Sequence, residues 1–109
     1  MIALALLLAA SPAAALTGDE WRRLPPASRD AYVTGLIDAW GNVVEVQESL
    51  GARDRGITVF AGVVTCLRDR LLPYAKIVEA VERYVRDNPG LVSKEMPDIV
   101  FAVLTAECR

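Results

Sequence analysis

Two cysteines, Cys66 and Cys108, stand in a chain whose N-terminus reads as a secretory leader, and together they set the frame of the fold. Residues 2–10 form an uncharged apolar run, Ser11-Pro12 breaks it, and Ala13-Ala14-Ala15 offers the small-x-small pattern that a signal peptidase cuts. Cleavage is expected before Leu16. The two thiols then meet in an oxidising compartment, where a pair with no third cysteine closes one internal disulfide. The leader departs from the usual pattern in one respect. No Lys or Arg precedes the apolar run, so the α-amino group alone supplies the positive charge, unless the natural start lies upstream. A retained membrane anchor is the competing reading, but the run is well short of the roughly 20 residues a spanning helix needs. No cysteine follows it to carry a lipid.

Residues 16–109 make a single domain at the small end of independent stability. The 12 basic and 14 acidic residues leave a net charge of −2. The basic residues are scattered, so the chain carries no electrostatic footprint for nucleic acid. It contains no histidine, the commonest general base and metal ligand. No metal site, cofactor site or catalytic set is read from the sequence.

Glycine and proline punctuation divides the domain into about four apolar-periodic segments. Asp19 caps a short turn carrying Trp21 and Leu24, which Pro25-Pro26 stops. Ser28 is the expected N-cap of the next helix, on which Tyr32, Leu36, Ala39, Trp40, Val43 and Leu50 recur along one face. Gly35 and Gly41 each cost such a helix about 1 kcal/mol relative to alanine, which points to close backbone contact or to a kink near Gly41-Asn42. The β-branched Val43, Val44 and Val46 leave an extended alternative open there. Residues 51–56 are a polar loop bounded by glycines. Beyond it Phe60, Val63, Val64 and Leu67 fit a helical stripe beside Cys66, with a strand over residues 57–65 as the alternative. Pro73 opens a helix whose stripe is Tyr74, Ile77, Val78, Val81 and Val85, and Asn88-Pro89-Gly90 ends it. Ser93 is the expected cap of a last helix that turns Met96, Ile99, Val100, Val103 and Leu104 inward and closes on Cys108. The fold class is all-α, a small bundle of about four helices with one internal disulfide.

A Cys66–Cys108 bridge closes a loop of about 43 residues and removes on the order of 4 kcal/mol of unfolded-state freedom. It ties the helix before Pro73 to the last turn of the final helix. The cysteines lack the short C-x-x-C spacing and the neighbouring histidine that redox or thiol chemistry wants. Asp38 and Glu45, two turns apart on one helical face with Asn42 between them, are the acid–base candidates, but a solvated polar face of an amphipathic helix is the reading preferred for them. Trp21, Tyr32, Trp40 and Tyr74 read as core or groove residues. Because Trp21 precedes the main helices, it is expected to be partly covered and to serve as an exposed anchor. Trp21, Gly35, Asp38, Asn42 and Glu45 are therefore the candidate partner surface.

Three stretches carry a resemblance: "DAYVTGLIDAW" over residues 30–40, "TCLRDRLLPYAKIVEAVERYVRDNP" over 65–89 and "PDIVFAVLTAEC" over 97–108. A cysteine before a loop, a helix ending in Y-V-x-x-N-P and a last helix closing on a second cysteine resemble small exported bacterial proteins of the Rap/Tai immunity type. The related HdeA-like periplasmic domains share that plan. The resemblance implies a periplasmic helical domain, no enzyme, whose partner is another protein, and a homodimer is among its forms. Immunity proteins neutralise a secreted effector, whereas HdeA-type proteins are acid-activated chaperones that hold clients. For the chaperone alternative, protonating the 14 carboxylates would swing the chain from −2 toward +12. A small enzyme is the third reading. The resemblance carries over no site residues.

Overall fold

The computed structural model describes residues 15–51 and 54–108. The expected leader therefore lies outside the described residues, except for Ala15. Five α-helices run in order: α1 (Gly18–Arg22), α2 (Pro26–Ser49), α3 (Arg55–Asp69), α4 (Tyr74–Asp87) and α5 (Met96–Glu107), with a 3-10 turn at Pro89–Leu91 between the last two. No strand forms among the described residues, so the helical reading of residues 43–46 and 57–65 holds and the extended alternative falls. α2 and α3 pack as an antiparallel hairpin, α4 lies against α2 and α5, and α1 docks on α5. No helix among the described residues is long and apolar enough to cross a membrane.

The core forms where the apolar stripes are cleanest. Ile77, Val78, Val81 and Val85 of α4 meet Met96, Ile99, Val100, Val103 and Leu104 of α5, all buried. The turn ahead of α1 is held by a capping box, in which the Thr17 side chain accepts from Glu20 N and the Glu20 carboxylate accepts from Thr17 N. The same segment pairs with the connection before α5: Gly18 N donates to Lys94 O at 2.9 Å, and Met96 N donates to Leu16 O at 2.7 Å. A Cβ on Gly18 would stand 2.9 Å from Ile99 Cδ1 and 3.3 Å from Val92 Cα, so the two segments touch through that glycine.

Several sequence expectations need correction. α2 begins at Pro26 rather than after Ser28, because Pro25 and Pro26 lack two of the N–H groups a helix start would otherwise leave orphaned. α5 begins at Met96, with Glu95 and not Ser93 at its N-cap. There the Leu16 carbonyl accepts the Met96 N–H, so no side-chain cap is needed. α2 continues as helix through Gly41-Asn42 to Ser49. Neither Gly35 nor Gly41 sits against a neighbour: a Cβ built on either meets nothing within 4 Å. The buried face of α2 is Val33, Ile37 and Val44, while Tyr32, Leu36 and Trp40 are half-buried and Ala39, Val43 and Leu50 are exposed.

Cys66, in the last turn of α3, is bonded to Cys108 at the end of α5, with Cα atoms 6.1 Å apart. The Arg70 guanidinium donates to the Glu107 carbonyl beside that bridge. A second tie lies nearer the hairpin. The rings of Trp40 (α2), Phe60 (α3) and Phe101 (α5) cluster with centroids 5.0 to 6.2 Å apart. Disulfide and aromatic cluster together fix the hairpin on the α4–α5 layer.

Candidate functional site

Where α2 and α3 diverge toward the α3–α4 turn, they leave an open groove of about 710 Å³. One wall is α2, which presents Asp38, Asn42 and Glu45 at one-turn spacing. Arg68, Leu71 and Tyr74 supply polar and apolar groups from the α3–α4 side, and Ile37 and Leu67 are buried residues that line the groove. The Asp38–Asn42–Glu45 row read from the sequence is therefore brought together on a single wall.

Gly41 also lines this groove. A mid-helix glycine costs about 1 kcal/mol relative to alanine. Here no close approach of another backbone accounts for it, because the space above its Cα is open. Beside Asn42, Gly41 leaves a stretch of the α2 wall bare of side chain, where the groove has room.

The rim carries a second local cost. Leu71 has φ of +50°, a left-handed conformation that L-residues adopt at about 1 to 2 kcal/mol, and its side chain is 83 % exposed. That conformation is the stop of α3 itself, since Leu71 N donates to Arg68 O and Leu72 N to Leu67 O, and it leaves the Leu71 side chain on the rim of the groove.

Asp38 and Tyr74 join the two sides. The Tyr74 hydroxyl donates to Asp38 Oδ1 at 2.7 Å. That bond raises the Tyr74 pKa above its ordinary value, with burial and the Asp38 charge adding in the same direction. No group of three or more potential metal ligands forms among the described residues.

Two other members of the expected partner surface fall elsewhere. Trp21 is 1 % exposed, so it is a core residue and not an anchor. Its indole Nε1 donates to the Arg29 carbonyl at 3.2 Å, which fixes α1 against α2. Gly35 is exposed on α2 and does not line the groove. Conversely, Arg68 and Leu71 are groove residues that the sequence reading does not single out, and Tyr74, read as a core or groove residue, falls in the groove. The available signal was Leu71-Leu72 ahead of Pro73, an apolar pair in a turn with no periodicity to explain it. Compared with known proteins, the chain matches no family model, no curated protein and no solved structure.

Proposed function

We propose that this chain is a non-catalytic, exported protein-binding domain of the immunity type, which receives a segment of a secreted effector in the groove between α2 and the α3–α4 turn. The observation that carries the reading is the groove itself: an apolar base, a row of hydrogen-bonding side chains on one wall, and Gly41 keeping that wall open. Such a surface offers shape and directed polar contacts to a protein segment. Export is supported by the leader-like N-terminus and by the Cys66–Cys108 bridge, which persists in an oxidising compartment.

The same groove supports a second reading, acid–base chemistry, because Asp38, Glu45 and Tyr74 share it. The chain has no histidine, the commonest general base, and Tyr74 already commits its hydroxyl to Asp38, which favours the binding reading.

The test is capture and protection. The mature domain, immobilised with its disulfide intact, should retain one effector from a periplasmic extract, and co-expression should relieve that effector's toxicity. Recovery of no specific protein in repeated trials, or an effector whose toxicity is unchanged by the domain, contradicts the proposal.

A further inference from the structure

Away from the groove, α1, α2 and α4 enclose a notch of about 280 Å³ lined by Trp21, Arg22, Arg29, Glu82, Val85 and Arg86. Three arginines from three helices converge there on one carboxylate, in a chain whose net charge is −2. Their partners are unequal. Arg22 is engaged by Asp19, with Nη2 at 2.8 Å and Nε at 3.2 Å from Oδ1. Arg86 Nε stands 3.4 Å from Asp87 Oδ1, and its side chain is largely exposed.

Arg29 sits deepest. Its guanidinium lies 5.9 Å from the Trp21 ring centroid, Nη1 donates to the Arg22 carbonyl at 3.3 Å, and Nη2 stands 3.6 Å from Glu82 Oε1. Its Nε is buried with no hydrogen-bond partner among the described residues. A buried charged N–H without an acceptor is costly, and native structures seldom leave one. Glu82, the carboxylate in the notch, reaches Arg29 at ion-pair distance without closing a hydrogen bond on it. Asp19 and Asp87 lie beside Arg22 and Arg86, so the group that the notch leaves short of an acceptor is the Arg29 guanidinium.

We infer that this notch is an oxyanion-binding site, in which Arg29 and Arg86 hold a phosphate or carboxylate group beside Trp21. Guanidinium forks match both groups in shape and bind them through paired N–H donors. Arg29, pinned by Trp21 and the Arg22 carbonyl, is the ordered half of the clamp, and Arg86 is the half free to close. Glu82 competes with the ligand for Arg29. The site shares no residue with the α2–α3 groove, so it stands or falls independently of the proposed function.

The test follows the side-chain signals of Arg29 Nε–H and Trp21 Nε1–H by nuclear magnetic resonance, titrating the intact domain with sodium phosphate or sodium acetate against sodium chloride at equal ionic strength. Saturable shifts with phosphate or with acetate are expected, and which of the two saturates identifies the group as phosphate or carboxylate. Arg86→Gln should weaken the binding about tenfold, the equivalent of one charge-assisted hydrogen bond. Glu82→Gln should tighten it several-fold, and Glu79→Gln, on the same helix outside the notch, should leave it unchanged. Arg86 and Glu82 both have substantial solvent exposure, so these variants retain the core, which a melting curve verifies. Shifts that chloride reproduces, no saturation with either oxyanion, or affinity insensitive to both Arg86→Gln and Glu82→Gln would overturn the inference.

Discussion

Tyr74 links one side of the groove to the other through its 2.7 Å bond to Asp38, and its titration reports on that link. Because the bond and partial burial raise the Tyr74 pKa in the folded protein, the neutral phenol contributes stability that is fully present below about pH 10 and lost as pH rises through the folded value. Tyr32 shifts in the same direction, chiefly through burial, so it adds to the alkaline loss. The expected outcome is that Tyr74→Phe is less stable than the natural protein at pH 8 and that the difference shrinks above about pH 10, as urea melts across that range would read. A difference that stays constant with pH would mean that the Asp38 bond does not form in solution. At the same scale, the burial of Trp21 departs from the partial cover expected of a residue ahead of the main helices. Its burial comes with the docking of α1 on α5, tied by the Thr17–Glu95 bridge, which no local pattern encodes.

At the scale of elements, the sequence was most legible where a helix faces the core along its whole length. α4 and α5 carry unbroken apolar stripes, and the inward set on α5 is the one its spacing predicts. α2 was read less well for a physical reason. Its first half packs in the core through Val33 and Ile37, but its second half runs out along α3 with Val43, Val46 and Leu50 exposed, so no single period describes it. Its start and that of α5 were misplaced because prolines and a distant carbonyl satisfy helix ends that a nearby serine was expected to cap. The Asp38–Asn42–Glu45 row was legible, since it depends on helical spacing alone. The opposite side of the groove was not, since it depends on where the α3–α4 turn folds back. The glycines separate the two kinds of packing. Gly18→Ala should destabilise the fold, because its Cβ would press on Ile99 and on Val92 backbone. Gly35→Ala should stabilise it by about 1 kcal/mol, because its Cβ enters open space on a helix. Thermal or chemical melts give the signs, and a Gly18→Ala domain as stable as the natural one would contradict the docking of α1 on α5.

At the scale of the whole molecule, the α2–α3 hairpin and the α4–α5 layer are held together by the aromatic cluster and by one covalent bond. A domain of this size has total stability of about 5–10 kcal/mol, so a bridge worth on the order of 4 kcal/mol in the chain-entropy description decides how much of it is folded. Cys108→Ser should therefore lower unfolding free energy by about 2–4 kcal/mol in urea melts. Full stability in that variant would show that the helices need no staple. The bridge also sets the groove, because Cys66 fixes the end of α3 from which Arg68 and Leu71 project.

The claim on which the account rests is that the open α2 wall at Gly41 receives the partner. A Cβ at Gly41 meets no protein atom within 4 Å and leucine is the better helix former, so Gly41→Leu should melt no lower than the natural domain. The direct measurement is the dissociation constant of the captured effector for the Gly41→Leu domain, with Gly35→Ala as the control outside the groove. The account predicts a loss of at least about 100-fold for Gly41→Leu, roughly the 2.7 kcal/mol of a binding hot spot, and no change for Gly35→Ala. Unchanged affinity in a folded Gly41→Leu domain would contradict it.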